Sequence, residues 1–186
     1  MTKILLINGH EYYDHSKGRL NKTLFNEIGR VLSEKNYELQ TSVLQDGFEK
    51  TEEQEKMKWA DAVIYQTPIY NYSVPALFKK YLDETHEHGV YFRGNTKEYG
   101  KGGGLLTGKK YMFSVTWNAP SSAFDDRSQF FEGGSVEDVL FPLHLIHKYV
   151  GMTYLKTFSC FDVKKHPDLK KYFSELHEHL ERYFRV

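Results

Sequence analysis

The chain alternates between two hydrophobic patterns, short unbroken apolar runs and stripes at helical spacing. Lys3 to Asn8 (Lys-Ile-Leu-Leu-Ile-Asn) is an apolar run closed by Asn-Gly, the pattern of a buried parallel strand. Leu20, Leu24, Ile28, Val31 and Leu32 then recur every three or four residues and predict a helix from Leu20 to Lys35. Tyr37 to Leu44 alternates apolar and polar like a second strand, and Ala62 to Tyr65 forms the core of a third. After Pro75, the residues Leu77, Phe78, Tyr81 and Leu82 mark another helix. Lys110 to Trp117 reads as a fourth strand, Val136 to Val150 as an apolar helix, Thr153 to Phe161 as a fifth strand and Asp168 to Phe184 as a closing helix.

Strands that alternate with helices in this way predict an α/β, doubly wound parallel sheet, because right-handed crossovers place helices on both faces. Five strands match the flavodoxin-like order 2-1-3-4-5, in one domain covering residues 1–186. Ligands of such sheets bind beyond the carboxyl ends of the strands, where the winding reverses between strands one and three. That rule nominates the loops after Asn8, Gln66 and Trp117. Gly100 to Gly108 lies inside a long connection and reads as a flexible cover over a ligand edge rather than a domain boundary.

Charge narrows the function. The 186 residues balance 25 Lys+Arg against 25 Asp+Glu, with no basic block interleaved with aromatics, which argues against nucleic acid. The opening apolar run is too short for a signal peptide and no stretch is long enough for membrane insertion, so a cytoplasmic protein is expected. The single cysteine, Cys160, cannot form an intramolecular disulfide. The 14 Tyr, 13 Phe and 2 Trp suit either a dimer interface or a site for a flat ligand.

The three nominated loops carry matching chemistry. In the first, Ser16, Lys17, Gly18 and Asn21 lead into a helix, whose unpaired amides favour an anion, so these residues either cradle phosphate or simply cap the helix. It has neither G-x-G-x-x-G spacing nor a Walker Lys-Ser/Thr pair. The second, Thr67 to Pro75, brackets Tyr70 and Tyr72 between two prolines, rigidly enough to stack on a planar ring or to pack on neighbouring loops. In the third, Thr116-Trp-Asn-Ala-Pro120, Asn118 and backbone amides suit the polar edge of a flavin, with Trp117 either covering its rim or buried in the core.

Asn8-Gly9, His15-Ser16-x-Gly18-x-Leu20-Asn21, Trp59-Ala-Asp61, Pro68, Lys79-Lys80-Tyr81, Gly108-Lys-Lys-Tyr-Met112, Thr116-Trp-Asn-Ala-Pro120 and Gln129-Phe-Phe131 together resemble the modulator of drug activity B group of NAD(P)H quinone oxidoreductases. The likeness covers nearly the whole chain. It implies a flavodoxin-like fold, a homodimer, FAD rather than FMN, NAD(P)H as electron donor and a quinone or related aromatic acceptor reduced in a two-step exchange. By matching position, Ser16, Lys17, Gly18, Arg19, Leu20, Asn21, Lys22 and Thr23 would hold the pyrophosphate. Pro68, Ile69, Tyr70, Asn71 and Tyr72, with Thr116, Trp117, Asn118 and Ala119, would contact the flavin ring, and Tyr99 would lie against the cofactor. Relatives of this type commonly place tryptophans after Pro68, where this chain has Ile-Tyr-Asn-Tyr. The positions that in mammalian-type quinone reductases hold a tyrosine and a histidine fall near Phe124 and Phe130, so no catalytic acid or base is assigned.

Two other functions compete: a flavodoxin-type one-electron carrier with FMN, against which the neutral charge argues, and an accessory subunit of an ion-efflux system. Nothing in the sequence separates NADH from NADPH. The pairs His86/His88 and His177/His179 fall on predicted helices two residues apart, pointing to different faces, and His144/His147 lack a third ligand, so no metal is expected. Cys160 has no phosphatase loop, since His166 stands where arginine would be needed, and reads as core. The charged run Thr51 to Lys58 reads as a solvated helix face, and Phe130, Phe131, Phe141, Leu143, Ile146 and Tyr149 as surplus apolar surface for a dimer.

Overall fold

A computed structural model describes residues 3–94 and 96–185. Strands β1 (Lys3–Asn8), β2 (Glu38–Val43), β3 (Ala62–Pro68), β4 (Lys110–Thr116) and β5 (Thr153–Cys160) form one parallel sheet in the order β2-β1-β3-β4-β5. Lys3 lies opposite Glu38, Ile4 opposite Ala62, Ala62 opposite Lys110 and Lys110 opposite Thr153. Helices α1 (Arg19–Glu34), α2 (Lys50–Trp59), α3 (Ala76–Thr85), α4 (Val136–Val139), α5 (Phe141–Tyr149) and α6 (Leu169–Tyr183) connect the strands and close the chain.

Both faces of the sheet are covered, which is why the inner strands read as continuous apolar runs. In β1, Leu5 and Ile7 join one core layer with Phe78 and Tyr81 of α3 and Leu143 of α5. Ile4 and Leu6 join the other, with Leu24 and Ile28 of α1 and Leu176 and Leu180 of α6. Cys160 is buried in this second layer, and burial pushes its thiol well above the usual range.

Three expectations about the helices change. The helix expected over Val136 to Val150 is two helices joined at Leu140, because Pro142 enters the first turn of α5 without an N–H to continue α4. The run 51–58 lies within α2 but is not wholly solvated: Glu53 is 2 % exposed, its carboxylate accepting from Ser42 Oγ (2.8 Å), Lys56 Nζ (2.8 Å) and Tyr81 OH (3.2 Å). His86 follows the last residue of α3 and His88 lies in the next connection, its ring nitrogen accepting from the Gly94 N–H at 3.1 Å, so neither is inside a helix.

The register between β4 and β5 shifts after Met112, the mark of a bulge. The Thr157 N–H, released from the ladder, donates to Glu137 Oε1 of α4 at 2.9 Å, and Glu137 Oε2 also bonds Thr157 Oγ1 and His144.

The Gly-rich stretch packs against the C-terminal end of α5, at the amino ends of β4 and β5, not over a ligand edge of the same chain. The Leu106 N–H donates to the Val150 carbonyl at 2.9 Å. A Cβ on Gly104 would lie 2.3 Å from the Val150 carbonyl carbon and 2.4 Å from the Gly151 nitrogen. Main chain cannot yield as a flexible side chain would, so Gly104→Ala is expected to destabilise by about 2 kcal/mol, lowering Tm by roughly 4–8 °C in a calorimetric scan. An unchanged Tm would show that this contact is loose.

Candidate active site

The carboxyl ends of β1, β3 and β4 deliver residues 9–18, 69–75 and 117–120 to the same edge of the sheet. They surround a cleft of about 560 Å³. Ser16, Lys17, Gly18, Arg19, Leu20 and Asn21 line one end, and Pro68, Ile69, Tyr70, Asn71, Thr116 and Asn118 the other. The strand-end loops are laced together: Gly9 N–H donates to the Gln66 carbonyl (2.9 Å), Ile69 N–H to that of Thr116 (3.0 Å) and Val163 N–H to that of Trp117 (3.1 Å).

The remaining residues expected at the site lie off the cleft wall. Lys22 and Thr23 fall further along α1, the Thr23 hydroxyl donating to the Arg19 carbonyl at 2.9 Å. Trp117 is core, its indole N–H donating to Ser159 Oγ at 3.3 Å, and the Ala119 carbonyl accepts from the Asp162 N–H at 3.0 Å. Tyr72 stands exposed at a hairpin tip beside the cleft. Tyr99 is 95 % exposed against Tyr149, by the C-terminal end of α5, and does not meet the cleft of its own chain.

At one end of the cleft the amino terminus of α1 is left open. Gly18 occupies its N-cap with φ 67°, no side chain caps the helix and its first turn holds no acidic residue. By contrast α2, α4 and α6 are capped by Glu49, Ser135 and Asp168. Unpaired amides flanked by Lys17 and Arg19 favour an anion. The Gly18 turn is also tightly filled, since a Cβ there would lie 2.5 Å from the His10 ring. This cradle fits a phosphate group.

Asn21 does not cap the helix; it turns inward into a buried chain of hydrogen bonds. Ser114 Oγ donates to Gln66 Oε1 (2.6 Å), Gln66 Nε2 to Asn21 Oδ1 (3.0 Å) and Asn21 Nδ2 to Asn8 Oδ1 (2.7 Å). The His10 N–H completes it, reaching Asn8 Oδ1 at 3.1 Å. This chain ties α1 to β1, β3 and β4, so the phosphate end is held by the sheet itself.

Sequence reading passed over His10, a buried cleft residue whose Nε2–H donates to the Ser16 carbonyl at 3.2 Å. Burial lowers its pKa, with the Ser16 bond and Glu11 acting in the opposite direction. The available signal was its position two residues beyond the strand end. Val163 and Lys164, also on the wall, follow β5, whose loop had not been nominated.

The ring and phosphate ends are stitched together by Tyr70 and Glu11. The Tyr70 phenol donates to Ser16 Oγ (2.7 Å) and to the Glu11 carbonyl (3.3 Å), while its ring meets Tyr13 edge-on. Glu11 Oε2 in turn accepts from the Leu77 N–H at 2.9 Å, capping α3 across the cleft where Pro75 supplies no cap. Glu11→Ala is expected to remove roughly 1 kcal/mol, seen as a fall of about 2–4 °C in Tm. No change would mean that water replaces the carboxylate without loss.

Comparison with known proteins agrees with this geometry. Residues 2–183 match the family described as flavodoxin-like fold. The chain is 39% identical over 190 residues to the NADPH:quinone oxidoreductase MdaB of Haemophilus influenzae, covering 97% of this chain and 98% of that one. It is 33% identical to the glutathione-regulated potassium-efflux system ancillary protein KefF of Klebsiella aerogenes, covering 84% and 81%. Among solved structures, a quinone-reductase candidate from Klebsiella pneumoniae superposes with a TM-score of 0.84 at 24% identity, covering 100% and 86%. The chain thus belongs to the flavodoxin-like family of flavin-dependent NAD(P)H oxidoreductases and, within it, to the modulator of drug activity B group. It is an oxidoreductase. Among the described residues no group of three His, Cys, Asp or Glu could hold a metal ion, and no helix is long and apolar enough to cross a membrane.

Proposed function

We propose that this protein is a cytoplasmic, homodimeric NAD(P)H:quinone oxidoreductase that binds FAD in the cleft and reduces its acceptor by two electrons in alternating half-reactions. The observation carrying this reading is convergence: the three loops at the winding reversal meet in one cleft, with an open helix terminus at one end and an aromatic, amide-bearing wall at the other. The amides of α1, with Lys17 and Arg19, would hold phosphate. Asn71 and Asn118, on the two loops that line this end of the cleft, would meet the polar edge of the ring. Flavin, when bound, supplies the exchange of two electrons between nicotinamide and acceptor. Residues 68–75 and 117–120 contain no histidine, carboxylate, lysine or arginine, so the chain's part at the ring is orientation and exclusion of water.

FAD is preferred because the likeness to the modulator of drug activity B group implies it, and Asp14, His15 and Lys164 also line the cleft. FMN is the alternative. The test is purification with each flavin in excess, a visible spectrum, anaerobic addition of NADPH or NADH, then menadione. FAD retained, bleached by a pyridine nucleotide and restored by menadione is the expected result. Absence of flavin binding would overturn the reading and favour the accessory role suggested by the KefF likeness; FMN retained without bleaching would point to an electron carrier.

A further inference from the structure

The free edge of the sheet holds a second cavity. β5 has β4 on one side only, and along its other side runs a trench of about 690 Å³, floored by Tyr154, Lys156 and Phe158 and walled by α4 and α6. No residue lines both this trench and the cleft. At the bulge, two main-chain groups of β5 are met by side chains from the walls. The Thr157 N–H donates to Glu137 Oε1 of α4 (2.9 Å), and the Lys156 carbonyl accepts from His179 Nε2–H of α6 (2.8 Å). A strand arriving from another chain finds these groups taken, so the trench suits a small molecule and not an added strand.

Charge is segregated along it. The Tyr172 hydroxyl donates to the Phe161 carbonyl (2.8 Å) while His179 reaches Lys156, so α6 runs antiparallel to β5. Lys171 and Glu175 therefore face the carboxyl end of the strand and Arg182 its start. At the carboxyl end Lys171 is offset by Glu175, 3.9 Å away, and Asp125, in the connection after β4, lies there too. Midway, Glu137 is spent on Thr157 and on His144 (2.8 Å). At the start, Lys156 and Arg182 have no ion-pair partner among the described residues. Both charges reach one imidazole: burial holds His179 below its usual pKa, and Arg182 and Lys156 push it the same way, against its bond to the Lys156 carbonyl and against Glu137. The Phe158 and Tyr183 rings pack on it at 5.6 and 5.0 Å. Tyr154, 48 % exposed, adds a flat apolar surface to the wall.

We propose that the start of this trench binds the phosphate monoester of a small metabolite, with Lys156 and Arg182 holding the phosphate and the organic part lying along β5 beside Tyr154. Two unpaired cations favour a group that carries close to two charges at neutral pH over a carboxylate with one, and arginine meets phosphate oxygens in pairs. The site is additional to the cleft and independent of which flavin fills it.

The test uses protein purified with flavin in excess, which fills the open end of α1, titrated calorimetrically with AMP, ribose phosphate and adenosine. AMP is expected to bind with Kd of about 0.1–1 mM and adenosine not at all. AMP tighter than ribose phosphate would assign a base to Tyr154; equal affinities would assign the phosphate and sugar alone. Arg182→Gln and Lys156→Gln should each weaken binding about tenfold, whereas Lys170→Gln, on α6 but off the trench, should stay within about twofold. All three side chains are exposed, so the variants keep the fold. Followed by proton NMR, His179 should titrate at higher pH with AMP bound, because the phosphate offsets Lys156 and Arg182. No binding at about 10 mM AMP, equal affinity for adenosine, equal weakening by Lys170→Gln, no weakening in either trench variant, or a His179 titration that AMP does not move would overturn the site. A chain that takes up no flavin leaves these outcomes readable, since the substituted residues lie off α1.

Discussion

Replacing Gly18 by alanine is expected to weaken flavin binding about a hundredfold, the sum of two penalties near 3 kcal/mol. The first is conformational: Gly18 holds φ 67° at the N-cap of α1, a left-handed geometry that costs an L-residue roughly 1–2 kcal/mol. The second is steric, because the new Cβ would sit 2.5 Å from Cε1 of His10. That ring is not free to swing aside: it is buried and bonded through Nε2 to the Ser16 carbonyl, while the main-chain N–H of His10 is fixed to Asn8 Oδ1. The substitution therefore disturbs Ser16 and the first turn of α1 together, the two parts of the phosphate end. Fluorescence titration of apoprotein with FAD and FMN measures the loss, and a thermal scan of the same apoprotein reports any wider damage. An affinity within about threefold of the wild type would show that the cradle does not hold the cofactor's phosphate.

The fold was legible because its strands are buried on both faces and its helices on one. β1 was read with its observed bounds, since Ile4 to Ile7 alternate between two apolar layers and leave no polar position to blur the pattern. β2 was read one residue too long at each end, an edge strand with a weaker signal. Charge misled where it is buried: nothing in Thr51 to Lys58 reveals that Glu53 would be received by Ser42 and Tyr81 from other elements. A contact at long sequence separation is invisible to a local pattern. Pro142, by contrast, is a local signal for the break after α4 that the apolar run around it concealed.

The site was legible in outline and not in its wiring. Topology picked three loops, and the structure brings them to one cleft. Asn21 looked like a cap or an anion ligand, but its partners, Asn8 and Gln66, come from two strands and make it a strut. Glu11, which the sequence pattern did not single out, proves to cap α3, 66 residues away. Tyr99, matched by resemblance alone, stands outside its own chain's cleft.

Acid should unfold this protein through its buried histidines. His147 is fully buried, its Nδ1–H donating to the Leu143 carbonyl at 2.8 Å and its ring stacked 4.2 Å from Tyr111. Burial lowers its pKa to about 3, helped by His86 and His144 and opposed by the Leu143 bond. Burial likewise lowers that of His86 to about 4, with Asp83 opposing and Lys79 assisting. Unfolded, each would titrate near 6.5. Below that value the unfolded chain binds protons that the folded chain refuses, so stability is complete above it and falls with pH until the folded values are reached. At pH 5 each histidine removes about 2 kcal/mol, together a large part of an ordinary domain's stability. Glu27, held down to about 2 first by Arg30, loses its contribution only below about 4.5, so the window from 6.5 to 4.5 isolates histidine. Urea unfolding across that window should show close to two protons taken up, with smaller contributions from His10 and His179, whose pKa values burial also lowers. His147→Phe keeps a ring against Tyr111 and is expected to reduce the slope by about one proton, whatever it does to absolute stability. A slope identical to the wild type would mean that water reaches His147 and that it is protonated in the fold.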